Sequence, residues 1–373
     1  KIYQTWFMKM CFLACNGQTK AEGNKKKLVE LQIKNEKAKN RIVEISIETR
    51  QDHIDKNEII RLRRLGVTKV ELGVQSIYDD VLKINNRGND NTATIMATRL
   101  LKDAGFKISY QVMPNLMGSD LKKDETMFKT IFSDQNYQPD FIKIYPLALL
   151  KEANIYSNYL NNRYKPYSKE ELTKLLKNIK TSLPYYVRVE RVIRDIPSNY
   201  IVEGGAKISN LRQIVQNEME KENLRCKCIR CREVKGVNSK EKIFLFREDY
   251  DASYGKEIFL SFENKKRTRL YSLLRLRITS QYYSGEKNPI SILNDSSIIR
   301  EIHTYGPQIE IGERDKSASQ HKGLGKRLML EAEKISRNEF KLKNIAVISG
   351  VGVREYFKKL GYKLINTYMV KKL

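Results

Sequence analysis

Two glycine-rich turns near the carboxyl end of the chain contain residues that could bind a pyrophosphate. The first begins at Gln320 and reads Gln-x-x-Gly-x-Gly, with its glycines at Gly323 and Gly325. Apolar residues then recur at the spacing of a helix face, at Leu324, Leu328, Ala332 and Ile335. A helix that opens on such a turn directs unpaired backbone N–H groups and the positive end of its dipole outward, and Lys326 adds positive charge there.

The second turn follows an apolar segment at 345–349 and contains Gly350 and Gly352. A helical segment comes next and ends at Gly361. In this order and spacing, the two turns resemble the acetyl-CoA-binding core of the GNAT acetyltransferases. By that resemblance Tyr356 would lie beside the thioester sulfur, where its hydroxyl could protonate a leaving thiolate. The alternative is that Tyr356 is a packed aromatic residue.

A cysteine motif of the form C-x-C-x-x-C consists of Cys226, Cys228 and Cys231. Three thiols at this spacing can converge on one zinc ion or one iron–sulfur cluster, and we favour zinc. A redox-active cluster or a chance grouping is the alternative. A fourth zinc ligand is required, and the sequence does not select among three distant candidates: Cys11, Cys15 and His53. The first two are four residues apart in an apolar segment, which is typical of buried core cysteines.

The charge of the chain indicates what kind of partner it binds. Formal net charge is +26, from 70 Lys and Arg against 44 Asp and Glu. This excess favours a polyanion, most simply RNA, bound through its phosphates, whereas the alternative is a generally lysine-rich proteome. No apolar run approaches the roughly 20 residues of a membrane span. The odd count of 5 cysteines indicates a reducing compartment, so we expect a cytoplasmic or nuclear protein without membrane contact.

Two domains are expected to position these groups, since 373 residues allow that number. Residues 1–205 alternate between predicted strands (42–47, 69–74, 107–112, 141–145 and 186–190) and predicted helices (58–65, 92–104 and 169–183). This alternation predicts a parallel α/β sheet or barrel with ligand chemistry at the carboxyl ends of its strands. Polar residues follow those ends: Glu48, Arg50, Gln75 and Ser76.

The remaining residues are predicted to form a connector and a second domain. Residues 206–240 are basic and include the cysteine motif, and residues 241–373 contain strands followed by the glycine-turn helix. The chain begins with Lys1 rather than Met, and its first residues do not form a signal peptide. We therefore expect a fragment of a longer chain.

A series of short motifs runs in order along nearly the whole chain. In the first half they begin at Ile45 (ISIETR), Glu71 (ELGVQS), Asn86 (NRG), Lys102 (KDAGF), Lys143 (KIYP) and Arg191 (RVIRDIP). In the second half they begin at Cys231 (CREV), Leu273 (LLRLR), Arg300 (REIH), Gln320 (QHKGLG) and Ile348 (ISGVG). Together these motifs resemble the catalytic subunits of Elongator, a family of tRNA uridine acetyltransferases.

The resemblance implies a radical SAM barrel joined to a GNAT-like domain, acting on the wobble uridine of tRNA. S-adenosylmethionine (SAM), cleaved at a [4Fe-4S] cluster, would give a radical that takes hydrogen from the methyl group of acetyl-CoA. The carbon radical would add to carbon 5 of uridine, and thioester hydrolysis would leave a carboxymethyl group. The family's cluster-binding cysteines lie near its amino terminus, and no such triad precedes Glu48 in this chain. By the resemblance, the chain is therefore expected to begin inside the barrel, without its first strands and the ligands of the cluster.

The same resemblance assigns the site residues. The SAM pocket would be lined by Glu48, Arg50, Gln75 and Ser76. Acetyl-CoA would be held by Arg300, Glu301, Ile302, His303, Gln320, Gly323, Leu324, Gly325, Lys326 and Tyr356, with the strand residues contributing backbone groups. Arg41 stands where the family has a lysine tied to acetyl-CoA, which keeps the charge and changes its geometry.

Two other functions compete with tRNA modification. The second domain alone would suit a protein lysine acetyltransferase, although a net charge of +26 argues against acidic grooves for a basic tail. A basic, catalytically incomplete scaffold that binds tRNA is the third hypothesis. The expected partners are tRNA and, by the resemblance, other Elongator subunits or a second copy of the chain.

Overall fold

A computed structural model describes residues 1–19, 21, 26–236, 241–306 and 323–373. The strands of these residues form two sheets, one of five strands and one of seven. The five-stranded sheet lies within residues 1–205 and the seven-stranded sheet within residues 241–373. Among the described helices, none has both the length and the apolarity needed to cross a membrane.

The first sheet is parallel throughout, and its strands lie side by side in chain order. They are β1 (Ser46–Thr49), β2 (Lys69–Gln75), β3 (Lys107–Val112), β4 (Phe141–Ile144) and β5 (Arg188–Val192). The helices of this half and the connector are α1 (Ile2–Cys15), α2 (Leu28–Asn35), α3 (Lys56–Leu65), α4 (Asp79–Ile84), α5 (Asn91–Asp103), α6 (Leu121–Ser133), α7 (Ile155–Leu160), α8 (Lys169–Ser182), α9 (Leu211–Lys221) and α10 (Ile229–Arg232). Parallel strands joined by helices confirm the predicted α/β architecture of a partial barrel.

Local signals set the ends of the helices that connect these strands. Asp55 caps α3, because its carboxylate accepts a hydrogen bond from the Glu58 backbone N–H at 2.7 Å. The helix ends at Gly66, which adopts the left-handed conformation with φ +91°. At the start of α8, Ser168 and Glu171 form a reciprocal capping box. Each helix therefore returns the chain to the next strand within a few residues.

The two faces of the first sheet differ in chemistry. Side chains that point toward the helices are apolar and fully buried, as Val70, Leu72 and Ile108 illustrate. The alternate positions form the inner face, and its polar members are Ser46, Glu48, Lys69, Glu71, Ser109, Gln111, Lys143 and Glu190. Successive side chains of a strand point to opposite faces, so this alternation gives the barrel interior a polar wall.

The second sheet has the order β11-β12-β10-β9-β8-β7-β6. Its strands are β6 (Ile243–Ala252), β7 (Gly255–Asn264), β8 (Leu270–Ile278), β9 (Ser296–Thr304), β10 (Asn344–Val347), β11 (Lys363–Ile365) and β12 (Tyr368–Lys372). Its helices are α11 (Ser280–Ser284), α12 (Leu324–Asn338) and α13 (Arg354–Lys359). All its pairings are antiparallel except that of β9 with β10, which is parallel.

A buried ionic network joins the two sheets. Arg300 on β9 donates to both carboxylate oxygens of Asp140, at the start of β4, and to the Phe106 carbonyl at 2.6 Å. Arg277 on β8 donates to Asp103, at the end of α5, at 2.6 and 2.9 Å. All of these charged side chains are at most 3% exposed. Buried charges are tolerated only when paired, so each domain completes the charge balance of the other.

Two predicted strands begin later than expected. The segment predicted at 42–47 enters the ladder only at Ser46, because the Ile42 carbonyl instead accepts a bond from Gly352 N–H at 2.8 Å. The segment predicted at 186–190 becomes β5 only at Arg188, because a turn from Pro184 to Val187 precedes it. In both cases a backbone group forms a hydrogen bond outside the sheet in place of one to the neighbouring strand.

Candidate active site

The first glycine turn does open a helix. Gly323 adopts the left-handed conformation with φ +65°, and α12 begins at the next residue. Leu324 and the apolar residues predicted to share its face are all buried, at 1% exposure or less. The side chain of Lys326 is exposed beside the helix start, whereas Gln320 lies outside the described residues. The described part of the turn therefore presents N–H groups and a cation to solvent.

Three predicted site residues meet at this turn. A methyl group on Gly325 would lie 3.2 Å from the Tyr356 hydroxyl and 3.7 Å from Ile302. The Thr304 hydroxyl, at the end of β9, would lie 3.5 Å from the same methyl group. A side chain at this position would occupy the space between the helix start, β9 and the Tyr356 ring, which glycine leaves open. The structure thus brings together residues separated by more than 50 positions in the sequence.

Tyr356 lies partly exposed at this turn rather than in the core. It is 41% exposed, while its neighbour Phe357 is 3% exposed and packs in the core. Partial burial raises the pKa of the Tyr356 phenol above its ordinary value of 10. The hydroxyl therefore keeps its proton at neutral pH and can donate it.

The strand β9 has an open edge beside this hydroxyl. Its parallel pairing with β10 ends where Ile299 meets Val347, and Ile348 N–H donates to the Ile299 carbonyl at 3.1 Å. Within the residues that the structure describes, no strand pairs with the same edge from Arg300 to Thr304. An open edge offers main-chain donors and acceptors to an extended ligand, as an added strand would use them.

The side chains of this segment have different roles from one another. Arg300 faces the domain junction, where Asp140 occupies its guanidinium, and Glu301 accepts a hydrogen bond from Arg275 at 2.7 Å. Ile302 and His303 line a cavity together with these two residues. Burial, with the positive charges of Arg188 and Lys107, lowers the pKa of His303, although Glu301 opposes this shift.

That cavity has a volume of about 740 Å³ and lies between the two domains. Its barrel side is the amino-terminal end of the strands, with Lys69, Lys107 and Arg188. Its other side includes His303 and Gly350. Each of these basic groups is paired with a carboxylate of the same cavity, Lys69 with Glu190, Lys107 with Glu44 and Arg188 with Glu233. The cavity therefore has a polar wall of balanced charge on one side and the open edge of β9 on the other.

Arg41 lies at the second glycine turn. A methyl group on Gly352 would lie 2.6 Å from the Arg41 Cβ, and one on Gly350 would lie 1.9 Å from the Val43 carbonyl oxygen. The segment that precedes β1 is therefore in direct backbone contact with the turn after β10, which is possible only because both turn residues lack a side chain. This contact brings Arg41 from the first domain to the second.

The predicted SAM residues lie at the opposite, carboxyl end of the strands. Glu48 is within 3.3 Å of Lys143, and Arg50 forms a bidentate pair with Asp52. Gln75 has φ +63°, which is unusual for a residue other than glycine and marks a sharp turn of the chain at the end of β2. The hydroxyl of Ser76 accepts a bond from Tyr78 N–H and is buried. All four residues thus border one end of the barrel.

The inner face of the barrel contains charged residues that the sequence analysis did not single out. Glu71 is bound by Lys143 and, at 3.1 Å, by Lys69. Lys69 also pairs with Glu190, which accepts a bond from the Ser109 hydroxyl at 2.8 Å. The signal was present as the alternation of charged and apolar residues in Lys-Val-Glu-Leu at the start of β2. A buried strand with charges at every second position indicates a polar interior rather than a solvent-exposed face.

The three cysteines of the connector converge. Their Sγ atoms all lie within 4.8 Å of one another, and no fourth His, Cys, Asp or Glu joins them among the described residues. Cys228 is buried and Cys231 exposed. Hydrogen bonds from the other two thiols hold the pKa of Cys228 far below its ordinary value, whereas the pKa values of Cys226 and Cys231 are raised by contact with Cys228 and by burial, so one thiolate is favoured within the cluster. The Ile229 N–H donates to the Val187 carbonyl, which places the cluster beside the amino-terminal end of β5.

The other cysteines are not part of this cluster. Cys11 and Cys15 belong to α1 and are partly exposed, so their prediction as buried core residues is wrong. Cys11 lines an apolar groove with Phe7 and Ile45. Because α1 packs on α2 rather than into the centre of a domain, one side of this helix stays accessible.

Comparison with known proteins identifies the family. Residues 19–130 match the Radical SAM superfamily, and residues 139–221 match the Radical_SAM C-terminal domain. The tRNA uridine(34) acetyltransferase of Methanocaldococcus infernus is 45% identical over 379 residues, which cover 100% of this chain and 69% of that protein. The chain belongs to the tRNA uridine(34) acetyltransferase/Elongator complex protein 3 family.

Other members of this family agree. Elongator complex protein 3 of Homo sapiens is 36% identical over 376 residues, covering 100% of this chain and 67% of the human protein. The solved structure of the archaeal Methanocaldococcus infernus Elp3 with residues 1–46 deleted has a TM-score of 0.87 and 42% identity. It covers 100% of this chain and 86% of its own. The Elongator resemblance and the enzymatic nature expected from the sequence are confirmed.

The radical SAM match also bears on the cofactors. It supports SAM and a [4Fe-4S] cluster as cofactors of the barrel. The cysteine cluster at 226–231 has the donor set of a thiolate metal site and follows the matched residues in the chain.

Proposed function

We propose that this protein modifies the wobble uridine of tRNA, using acetyl-CoA to place a carboxymethyl group on carbon 5. Support comes from relatives that are named tRNA uridine(34) acetyltransferases. The radical SAM match provides a route to functionalise an unactivated methyl group. A net charge of +26 suits a substrate as strongly anionic as tRNA.

Each part of the chain has a separate role in the proposed reaction. We assign residues 1–205 to the barrel, residues 206–240 to a basic connector and residues 241–373 to a GNAT-like domain that binds acetyl-CoA. The order of the second sheet, with one parallel pair that separates beyond Ile299, leaves a main-chain edge for an extended pantetheine arm. Gly323 and Gly325 would receive the pyrophosphate at the start of α12, with Lys326 neutralising its charge.

Tyr356 is the residue to which we assign the proton transfer. Its hydroxyl lies between Gly325 and the end of β9, where a thioester held along the open edge would reach. A phenol with a raised pKa is protonated at neutral pH, so it can donate to the sulfur of the departing CoA. Arg41, carried to the second glycine turn by the contact of Val43 with Gly350, would add charge near the same ligand.

We assign the carboxyl end of the barrel to SAM, with Glu48, Arg50, Gln75 and Ser76 as its contacts. Bound there with the cluster, SAM would supply a radical able to take a hydrogen atom from a methyl group. The cavity between the domains borders the opposite ends of the same strands, so the acetyl group would have to reach this end through the barrel interior. The chain's part is to hold polar groups at fixed positions, and the ion pairs of Glu48 with Lys143 and Arg50 with Asp52 do so.

We assign zinc to Cys226, Cys228 and Cys231. The cluster lies beside the start of β5, whereas the predicted SAM residues lie at the far ends of the strands. A metal at this place would stabilise the connector rather than take part in SAM cleavage. Metal analysis checks the assignment: we expect about one zinc for each chain from these thiols, and iron bound by the same cysteines would contradict it.

The observation that carries the proposal is the meeting of Gly325, Tyr356 and the open edge of β9. Its test is acetyl-CoA hydrolysis by the full chain, with and without tRNA. Wild-type hydrolysis should be stimulated by tRNA, and Tyr356→Phe should lose most of it, by about 10²-fold or more for a lost general acid. Tyr200→Phe is the matched control, since Tyr200 is 59% exposed and belongs to the barrel half.

The competing functions give different results in the same assay. Equal hydrolysis without tRNA, together with transfer of acetyl groups to lysine peptides, would replace the proposal with a protein acetyltransferase. Tight tRNA binding with no hydrolysis in any form would indicate the scaffold. Other Elongator subunits and a second copy of the chain remain predicted partners, which sedimentation of the protein with and without them would test.

A further inference from the structure

A second cavity, of about 500 Å³, lies beside the cysteine cluster. Its walls come from α9, the cysteine segment and the turn from β7 to β8. Glu233 lines this cavity and also the 740 Å³ cavity between the domains. The two cavities are therefore neighbours that share a wall. We call the smaller one the basic cavity.

The basic cavity contains more positive charge than its own carboxylates neutralise. Five basic side chains line it: Arg212, Arg230, Arg232, Lys235 and Arg269. Its lining carboxylate, Glu233, is committed to Arg188 at 2.6 Å. Arg232 is neutralised from outside the cavity by Glu263.

Arg269 is also paired, with Glu241 at 3.4 Å. The remaining three cations have no such partner. No carboxylate of the described residues lies within ion-pair distance of Arg212, Arg230 or Lys235. Unpaired cations on a concave surface focus a positive potential and attract an anion.

The donor groups identify the class of anion. The fork of an arginine guanidinium matches two oxygens of a phosphate, and the Gln216 amide and the Thr268 hydroxyl, which also line the cavity, add neutral donors. We propose that the basic cavity binds backbone phosphates of tRNA next to the nucleotide that enters the larger cavity. This proposal rests on the proposed function, because it takes tRNA as the substrate.

The cysteine cluster acquires a role from this position. Arg230 lies between Cys228 and Cys231 in the chain, and its guanidinium donates to the backbone carbonyl of Glu190 in β5. Three thiols converging on one metal fix the backbone of the segment that carries Arg230. The metal would thereby hold a phosphate-binding residue in place, as a positioning group without contact to the reacting atoms.

The test is tRNA binding measured as a function of salt concentration, using an unmodified tRNA transcript and the full chain. Each lost phosphate contact should lower the slope of log K against log salt by about 0.7–0.9. Arg212→Gln should show one such decrease, and the double change Arg212→Gln, Arg230→Gln about twice that. Arg337→Gln removes one exposed positive charge from the end of α12 and should leave the slope unchanged.

A second measurement tests the role of the metal. Chelation should weaken tRNA binding by the wild-type chain and have less effect on Arg230→Gln, which has already lost the positioned group. An equal effect of chelation on both would overturn the positioning role. A urea midpoint within error of wild type verifies that each variant is folded.

Failure of this proposal is distinguishable from failure of the proposed function. Slopes of the Arg212 and Arg230 variants equal to that of wild type would overturn the phosphate site, even if tRNA still stimulates acetyl-CoA hydrolysis. Reduced slopes without any stimulation of hydrolysis would support the site and overturn the function. Inorganic phosphate competing as well as tRNA at equal phosphate concentration would also overturn the proposal, since a simple anion site would then suffice.

Discussion

The buried lysine of the domain junction gives the sharpest stability prediction. Lys102 is fully buried, and its ammonium makes no hydrogen bond in the described structure. It lies 3.9 Å from Asp140 and 3.7 Å from Glu257, which are too long for direct bonds. Arg300 and Arg277 already bind these carboxylates directly. Lys102 is thus a buried cation without a direct hydrogen-bond partner, because arginines bind both neighbouring carboxylates.

The size of the effect follows from the pKa. Burial, with the charges of Arg300 and Arg277, lowers the pKa of Lys102 from 10.5 to about 8, although Asp140 and Glu257 oppose the shift. At 1.36 kcal/mol for each pH unit, the charged form is disfavoured by about 3 kcal/mol relative to water. Methionine has a similar length and no charge, so Lys102→Met should raise the free energy of unfolding at pH 7, by about 3 kcal/mol at most.

The direction of this pKa shift determines how the effect of Lys102→Met on stability changes with pH. The folded pKa lies below the unfolded one, so the cost of the charge is complete below about pH 8 and is relieved as the pH rises towards 10.5. The advantage of Lys102→Met in urea unfolding should therefore be largest at pH 7 and nearly absent at pH 10. Lys69→Met is the control: this lysine bonds Glu71 and Glu190 directly, and its loss should destabilise the protein by about 3 kcal/mol. Destabilisation of similar size by Lys102→Met would refute the reasoning, because the carboxylates would then depend on the lysine.

Two further predictions concern the barrel interior and the second glycine turn. Burial would raise the pKa of Glu71, but bonds from Lys143 and Lys69 lower it from 4.5 to about 2. Its stabilising effect is therefore complete above about pH 4.5 and lost as the pH falls towards 2. In urea titrations Glu71→Gln should be less stable than wild type at pH 6 and approach it near pH 2, and a constant gap would contradict this. Gly350→Ala places a methyl group 1.9 Å from the Val43 carbonyl oxygen and should lower the free energy of unfolding by about 3 kcal/mol. The control is Gly236→Ala, where nothing lies within 4 Å, and its loss should be about 1 kcal/mol. Equal losses in urea unfolding would show that the chain can move aside.

Much of the fold is readable in the sequence because it is set locally. Strand β3 has the predicted bounds, and α3 ends at Gly66 as expected, since apolar periodicity and a left-handed glycine act over a few residues. The buried face of α12 was likewise predicted from its spacing, and each of these features needs no partner from elsewhere in the chain.

What the sequence could not supply are pairings between distant residues. Arg300 belongs to a motif near the glycine turn, and a contact of its main chain with a ligand was predicted. The partner of its side chain, Asp140, lies 160 positions away and could not be identified from that motif. The adjacency of Arg41 and Gly352 is of the same kind, because it depends on which turn packs against which segment. Residue type and spacing do not encode that choice.

The buried ionic network between the two sheets limits how the two domains can be separated. The first domain alone would expose Asp103 and Asp140 without the arginines that pair with them. The second domain alone would expose Arg277 and Arg300 without their aspartate partners. Neither piece could be moved to another protein unless its new neighbour brought the complementary ions. Domains that recur in different proteins meet across neutral, solvated surfaces. The two domains of this chain share buried ion pairs instead, so their relative orientation is part of the fold.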